Sequence, residues 1–177
     1  NFDKLSHENI IDYISKTLPL FKNIIKKSSP DLLVVLGDRF EVFSFTIASF
    51  FLKIPIAHIH GGEVTMGAFD DNIRHSVTKF SNFHFATHDI YKKRLIQLGE
   101  NPKTIFTVGS PGVENFKKNK FIKKTKLFND LSINQNKKNI LVTFHPETNS
   151  NLNYSKQIDI LLLSIKKFKN VNFLFTY

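Results

Sequence analysis

Between residues 32 and 108 the chain repeats one pattern four times: a short apolar run, then a stretch long enough for a helix. The runs at 32–36, 54–57, 84–86 and 104–108 have the length and the bounding turn residues of buried strands. Residues 40–53 are almost wholly apolar but too long for a strand, and 88–98 end at Gly99, a usual helix stop. Strand and helix in strict alternation predict an open parallel sheet with right-handed crossovers and helices on both faces. In sheets of this kind the crevice lies outside the carboxyl ends of the strands, where polar residues from distant positions converge.

Upstream, residues 6–27 carry Ile10, Ile11, Ile14, Leu18, Phe21, Ile24 and Ile25 at helical spacing, with Pro19 predicting a kink or two helices. Downstream, eight lysines accumulate against one acid between Lys117 and Lys138, which marks a domain boundary. A new cycle follows, with strand 139–143, polar loop 144–153, helix 154–168 and strand 171–176. The expected division is 1–118, the greater part of one domain, and 119–177, the start of another.

Three polar clusters interrupt the apolar pattern: Gly37-Asp38-Arg39, His58 to Glu63, and Asp70 to His75. Five of the fifteen acids fall in this stretch of a chain with net charge +10, a local reversal of sign. Of the 25 basic residues only Arg39, Arg74 and Arg94 are arginine, and two of these three sit in the clusters. Arginine's planar fork suits it to hold a carboxylate or phosphate in fixed geometry, either as a site residue or as a structural ion pair. Asp38, ending a buried strand, has the setting of a general base, or of a cap for the helix that follows. Asp70 and Asp71 open a helix, where acids are favoured in any case. His58 and His60, two apart on a strand, face one side and with Asp70 or Asp71 resemble a metal-ligand set. Gly61, Gly62 and Gly67 make the segment between the second and third clusters a turned loop. Gly109 and Ser110 lead into a helix start able to approach a phosphate. His145, after the strand at 139–143, would face the first domain across a cleft.

The order Gly-Asp-Arg, His-Ile-His-Gly-Gly-Glu, then Asp-Asp-x-Ile-Arg-His-x-x-x-Lys (ending at Lys79) resembles the hydrolysing UDP-N-acetylglucosamine 2-epimerases of sialic-acid and related nonulosonic-acid synthesis. The resemblance runs from about Pro30 to Glu114 and more loosely to the end. It implies a GT-B type α/β architecture, two Rossmann-like domains with parallel sheets around a sugar nucleotide. Both domains are expected to be incomplete in this chain, an internal piece of a longer enzyme. It further implies elimination of UDP from a UDP-2-acetamido sugar and then hydration, with no metal or redox cofactor. The catalytic residues it implies are Asp38, His60 or Glu63, Asp70 or Asp71, and His145. Arg39, Arg74, His75, Gly109 and Ser110 are implied to bind substrate. Many relatives carry glutamate where His60 stands, which leaves open whether His60 or Glu63 takes that glutamate's role. A GT-B sugar-nucleotide binder or glycosyltransferase without epimerase chemistry is the second reading, and a metal hydrolase using His58 and His60 the third.

Composition removes several classes. The lysines are dispersed, and neither clustered arginine nor a recognition motif accompanies the pI near 9.7, which argues against nucleic acid as a partner. No apolar run approaches the roughly eighteen residues of a membrane-spanning helix, and the first thirty residues lack signal-peptide order, so a cytoplasmic protein is expected. With no cysteine there is neither disulfide nor thiolate chemistry. The UDP-sugar is the expected partner, and the resemblance leaves room for a homo-oligomer.

Overall fold

The structure, a computed structural model, describes residues 7–66, 68–146 and 152–176; Gly67 and much of the loop 144–153 lie outside the described residues. The chain divides into two compact units, 1–115 and 116–177.

The first unit runs α1 (His7–Ser28), β1 (Leu33–Leu36), α2 (Phe40–Phe51), β2 (Ile56–Ile59), α3 (Asp70–Phe80), β3 (Phe83–Ala86), α4 (Asp89–Gln97), one turn of 3-10 helix at Pro102–Thr104, and β4 (Ile105–Thr107). Helix α5 (Pro111–Lys118) spans the division between the units. The four strands are parallel and lie in sequence order. Since right-handed crossovers between successive neighbours all swing the same way, this order sends α2, α3 and α4 to one face of the sheet. That differs from the expected covering of both faces.

Register identifies the two faces. Val35, His58, His84 and Ile105 are successive partners on the helix side and are all buried. Val35 and Ile56 pack there with Val77 of α3, while Ala86 and Ile105 pack with Leu95 of α4. The opposite face carries Val34, Leu36, Phe83 and Phe106, all exposed; Val34 and Leu36 are each 57% exposed. Alternation along a strand requires this split, and among the described residues no helix of the unit covers the second face.

Three local expectations change. Helix α1 is one continuous helix through Pro19. Pro19 stands on its exposed side, where the carbonyl that loses its N–H partner can turn to water. In α2, read from the sequence as almost wholly apolar, the buried side includes small polar residues: Ser44, Thr46 and Ser49 are fully buried alongside Phe40, whereas Phe51 is 74% exposed. Each of those hydroxyls donates to the carbonyl four residues back, so small polar side chains sit in the core with their donors satisfied. Finally, His58 lies inside β2 rather than beyond it.

The second unit contains α6 (Lys124–Asp130), β5 (Lys138–Val142), α7 (Tyr154–Ile165) and β6 (Val171–Phe175), with β5 and β6 parallel. The helix α6 in the lysine-rich segment was not expected, because its apolar residues are few.

Candidate functional site

The carboxyl ends of β1 and β2 carry the first two sequence clusters, and the first turns of α3 carry the third. Gly37 closes β1 with φ 80°, a left-handed conformation that suits glycine, and turns the chain so that Asp38 follows the strand end. Asp38 forms an ion pair with Arg74 of α3, whose side chain is only 6% exposed. The same guanidinium donates to Asp71 Oδ1 at 3.1 Å and to Thr65 Oγ1 at 2.9 Å, and Asp71 Oδ1 also accepts the Thr65 N–H at 3.0 Å. One buried fork thus ties the end of β1, the loop after β2 and the first turn of α3 together. Among the described residues Arg74 Nε and His75 Nδ1 are buried without a hydrogen-bond partner, while His75 Nε2 stands 3.5 Å from Asp71 Oδ2.

Asp70 belongs to this group electrostatically. Burial, then the negative charge of Asp38, raise its carboxyl above the ordinary aspartate range, with Arg39 and Arg74 opposing. Arg39 grips Glu41 with its fork at 3.0–3.1 Å, its side chain is 64% exposed, and the charges of Asp70 and Asp38 act on it as well.

A second group lies beyond β2 and β3. His60 Nδ1 stands 2.9 Å from Glu63 Oε1, and Thr87, just past β3, donates its hydroxyl to that same oxygen at 2.7 Å. Helix α4 is capped by the next residue, His88, which accepts from the Ile90 N–H. His60 itself has φ 69°. It is one residue beyond the strand and left-handed, so the alternation that was to align it with His58 no longer applies. The metal-pair reading fails on the same geometry. His58 Nε2 meets the Gly37 carbonyl at 2.8 Å and Nδ1 meets Thr78 Oγ1 at 3.1 Å, so both nitrogens of this buried ring are engaged. Because a carbonyl only accepts, Nε2 carries the proton and Nδ1 accepts from Thr78. Burial, with the charges of His84, Arg74 and His60 adding, lowers His58 to about 4 despite the opposing Gly37 bond.

The loop between the two groups is held down closely. A Cβ on Gly62 would stand 2.6 Å from the Tyr91 carbonyl oxygen, and Arg94 donates to the Gly62 carbonyl at 2.8 Å. Lys79, last residue of the third motif, turns away to Glu100 at 2.6 Å, and His84 Nε2 stands 3.1 Å from the other Glu100 oxygen. Gly109, with φ 80°, and Ser110 follow β4 and lead into α5, as the sequence suggested. His145 is exposed, three residues past β5 in the second unit. A hollow of about 500 Å³ lies at the other end of the strands, lined by Phe50, Phe51, Phe80 and Asn82, and holds none of these residues.

Sequence reasoning missed Thr65, Thr87, His58 as a buried anchor, and Arg94. Thr65 and Thr87 carry no signal of their own, since a single hydroxyl is common in any loop.

A profile of the UDP-N-acetylglucosamine 2-epimerase family matches residues 2–177. The GDP/UDP-N,N'-diacetylbacillosamine 2-epimerase (hydrolyzing) of Campylobacter jejuni is 39% identical over 99% of this chain and 45% of its own length. Polysialic acid biosynthesis protein P7 of Escherichia coli is 42% identical over 97% of this chain and 44% of its own. The chain thus spans a little under half of these curated relatives. Among solved structures, the UDP-GlcNAc 2-epimerase of Neisseria meningitidis bound to UDP-GlcNAc superposes with a TM-score of 0.76 at 19% identity. That match covers 95% of this chain and 55% of the Neisseria chain, and at such identity it speaks for the fold.

Proposed function

The chain belongs to the UDP-N-acetylglucosamine 2-epimerase family, and from that premise we propose that the protein carrying it is a hydrolysing 2-epimerase. Its substrate is a UDP-2-acetamido sugar of the N-acetylglucosamine or diacetylbacillosamine type, the latter matching the name of the Campylobacter relative. The reading is carried by one buried arginine, Arg74, that pairs with both Asp38 and Asp71 at the strand ends, next to Asp70. A fold likeness to UDP-sugar enzymes supports it only in architecture.

The chemistry asks for such a group. A proton on a carbon with no adjacent electron sink leaves readily only if the leaving group departs with it, so a base at C2 and assistance at C1 must act together. Asp38, held by Arg74, takes the C2 proton; the C2–H pair becomes the C1–C2 double bond, and the C1–O pair leaves with UDP. Asp70, the carboxyl shifted toward its protonated form, assists the departing oxygen. Asp71 bonds Arg74 and the Thr65 N–H and orients the group. Arg74 and His75 serve the substrate side, Gly109 and Ser110 approach a phosphate, and His145 is the further catalytic residue that the family resemblance implies. A UDP-sugar substrate agrees with the cytoplasmic placement expected from the sequence.

The test uses the full-length protein in deuterated water. Incubated with UDP-N-acetylglucosamine or its diacetylbacillosamine counterpart, it should release UDP and place deuterium at C2 of the freed 2-epimer, with no acceptor added. Asp38→Asn should stop UDP release while leaving the circular dichroism spectrum and melting temperature near those of the parent. Normal turnover by that variant would remove Asp38 from the mechanism, and a need for an acceptor would favour a transferase.

A further inference from the structure

Resting on the epimerase reading, we propose that His60 is a catalytic acid acting through Nε2, and that Glu63 and Thr87 are positioning residues that hold the ring for that step. The proposal settles the division of labour that the sequence leaves open between His60 and Glu63.

Three observations lead there. The first is the direction of the hydrogen bonds. Glu63 Oε1 receives both the Thr87 hydroxyl and His60 Nδ1, so this carboxylate is fixed from two sides and faces the ring. With Nδ1 spent on Glu63, Nε2 is the nitrogen left for a ligand; it makes no hydrogen bond among the described residues, and the side chain is 26% exposed. A carboxylate behind one imidazole nitrogen fixes the tautomer and offsets the positive charge of the protonated ring.

The second is backbone strain. His60 is left-handed, with φ 69°, and a residue with a Cβ takes that conformation at a cost of about 1 kcal/mol or more. The other non-glycine residues with positive φ, Ser29, Lys53, Ser132 and Asn170, lie outside the three clusters. At His60 the strained turn sits at the mouth of the sheet, anchored by its N–H to the Phe85 carbonyl at 3.1 Å.

The third is how closely the following loop lies. A Cβ on Gly61 would stand 3.1 Å from His58 Nδ1, and one on Gly62 2.6 Å from the Tyr91 oxygen, so two residues without side chains bring Glu63 back against His60. Glycine at both positions is what the approach of Glu63 requires.

The assignment of acid rather than base follows from the partners. Asp38 lies against the Arg74 guanidinium, the partner of a proton-accepting carboxylate, whereas His60 lies against the Glu63 carboxylate, the partner an imidazole needs when both of its nitrogens present a proton. Once Asp38 has taken the C2 proton and UDP has left, the unsaturated sugar is attacked from the other face. His60 gives its Nε2 proton to C2, the double-bond pair forming the new C2–H bond, and the oxygen of a water bonds to C1. That water loses a proton to solvent, the ring regains one from solvent, and Asp38 returns its captured proton there as well.

The experiment follows both products in the full-length protein. His60→Ala should still release UDP, at a rate within tenfold of the parent, but should free the unsaturated 2-acetamido glycal in place of the epimer. Added imidazole should restore part of the epimer. Thr87→Val should shift the product ratio toward glycal with little change in KM, and Thr87→Ser should not. Equal loss of UDP and epimer in His60→Ala, with no glycal and no imidazole rescue, would overturn the proposal, as would greater glycal release from Glu63→Ala than from His60→Ala. If the parent protein releases no UDP from either sugar nucleotide, it is the epimerase reading that fails.

Discussion

Arginine at two neighbouring clusters looks equivalent in the sequence and is not equivalent in the fold. Arg74 is buried and shared among Asp38, Asp71 and Thr65, whereas Arg39 lies largely in solvent on Glu41. Lysine offers a point charge and no fork, so Arg74→Lys must release at least one of its partners. A hydrogen bond to a charged group contributes roughly 1.5–3 kcal/mol, which corresponds to a fall of about 10- to 100-fold in kcat/KM for UDP release. Arg39→Lys should stay within about threefold, because an exposed ion pair contributes little. Steady-state kinetics on the two variants side by side would check this, and equal losses would contradict it. The sequence marked both arginines by their rarity; nothing in it distinguished a guanidinium under a loop from one beside it, since that depends on which turn of α3 faces the strand ends.

At the scale of elements, β2 and β3 each place an imidazole on the covered face of the sheet, His58 and His84, side by side in the register. Burial lowers both, His58 to about 4, and Glu100 partly opposes the shift at His84. The consequence for stability has a definite sign. Above about pH 6.5 neither the folded nor the unfolded chain protonates His58, and its contribution is constant. As pH falls from about 6.5 towards 4, the unfolded chain takes up a proton that the folded chain refuses, so stability declines; below about 4 the effect saturates. For His58 alone the loss over that window is roughly 2–4 kcal/mol. Denaturant unfolding at pH 7 and pH 5 should show about 2 kcal/mol of this loss in the parent and a shallower one in His58→Gln, which keeps a donor for the Gly37 carbonyl but cannot titrate. Identical pH slopes would refute the account. Periodicity alone located every strand to within two residues, because strand ends here coincide with turn residues. What it could not give was the fate of His58: a histidine next to a polar cluster reads as part of that cluster until register shows it pointing at α3.

For the whole molecule, the parallel sheets and the sequence order of helices and strands were legible, and the family resemblance was carried by three motifs in order. The bare second face of the first sheet was not. Alternation predicts two apolar faces for a parallel sheet, but only the strand order tells which connections cross on which side. Val34, Leu36, Phe83 and Phe106 therefore stand as a contiguous apolar surface in this 177-residue chain. A surface of that kind binds hydrophobic dyes. Val34→Lys combined with Phe106→Lys should lower dye fluorescence of the isolated chain and leave its helix content unchanged by circular dichroism; unaltered fluorescence would place the dye elsewhere.

The same geometry separates two tasks that usually interfere. Residues on the uncovered side of β1 alternate with Val35, which packs against α3, so their side chains leave the sheet away from the anchoring imidazole and away from the aspartates. Substitutions on that uncovered side, such as Val34→Lys, therefore change the exposed apolar surface without touching the side chains packed against α3 or the aspartates at the rim.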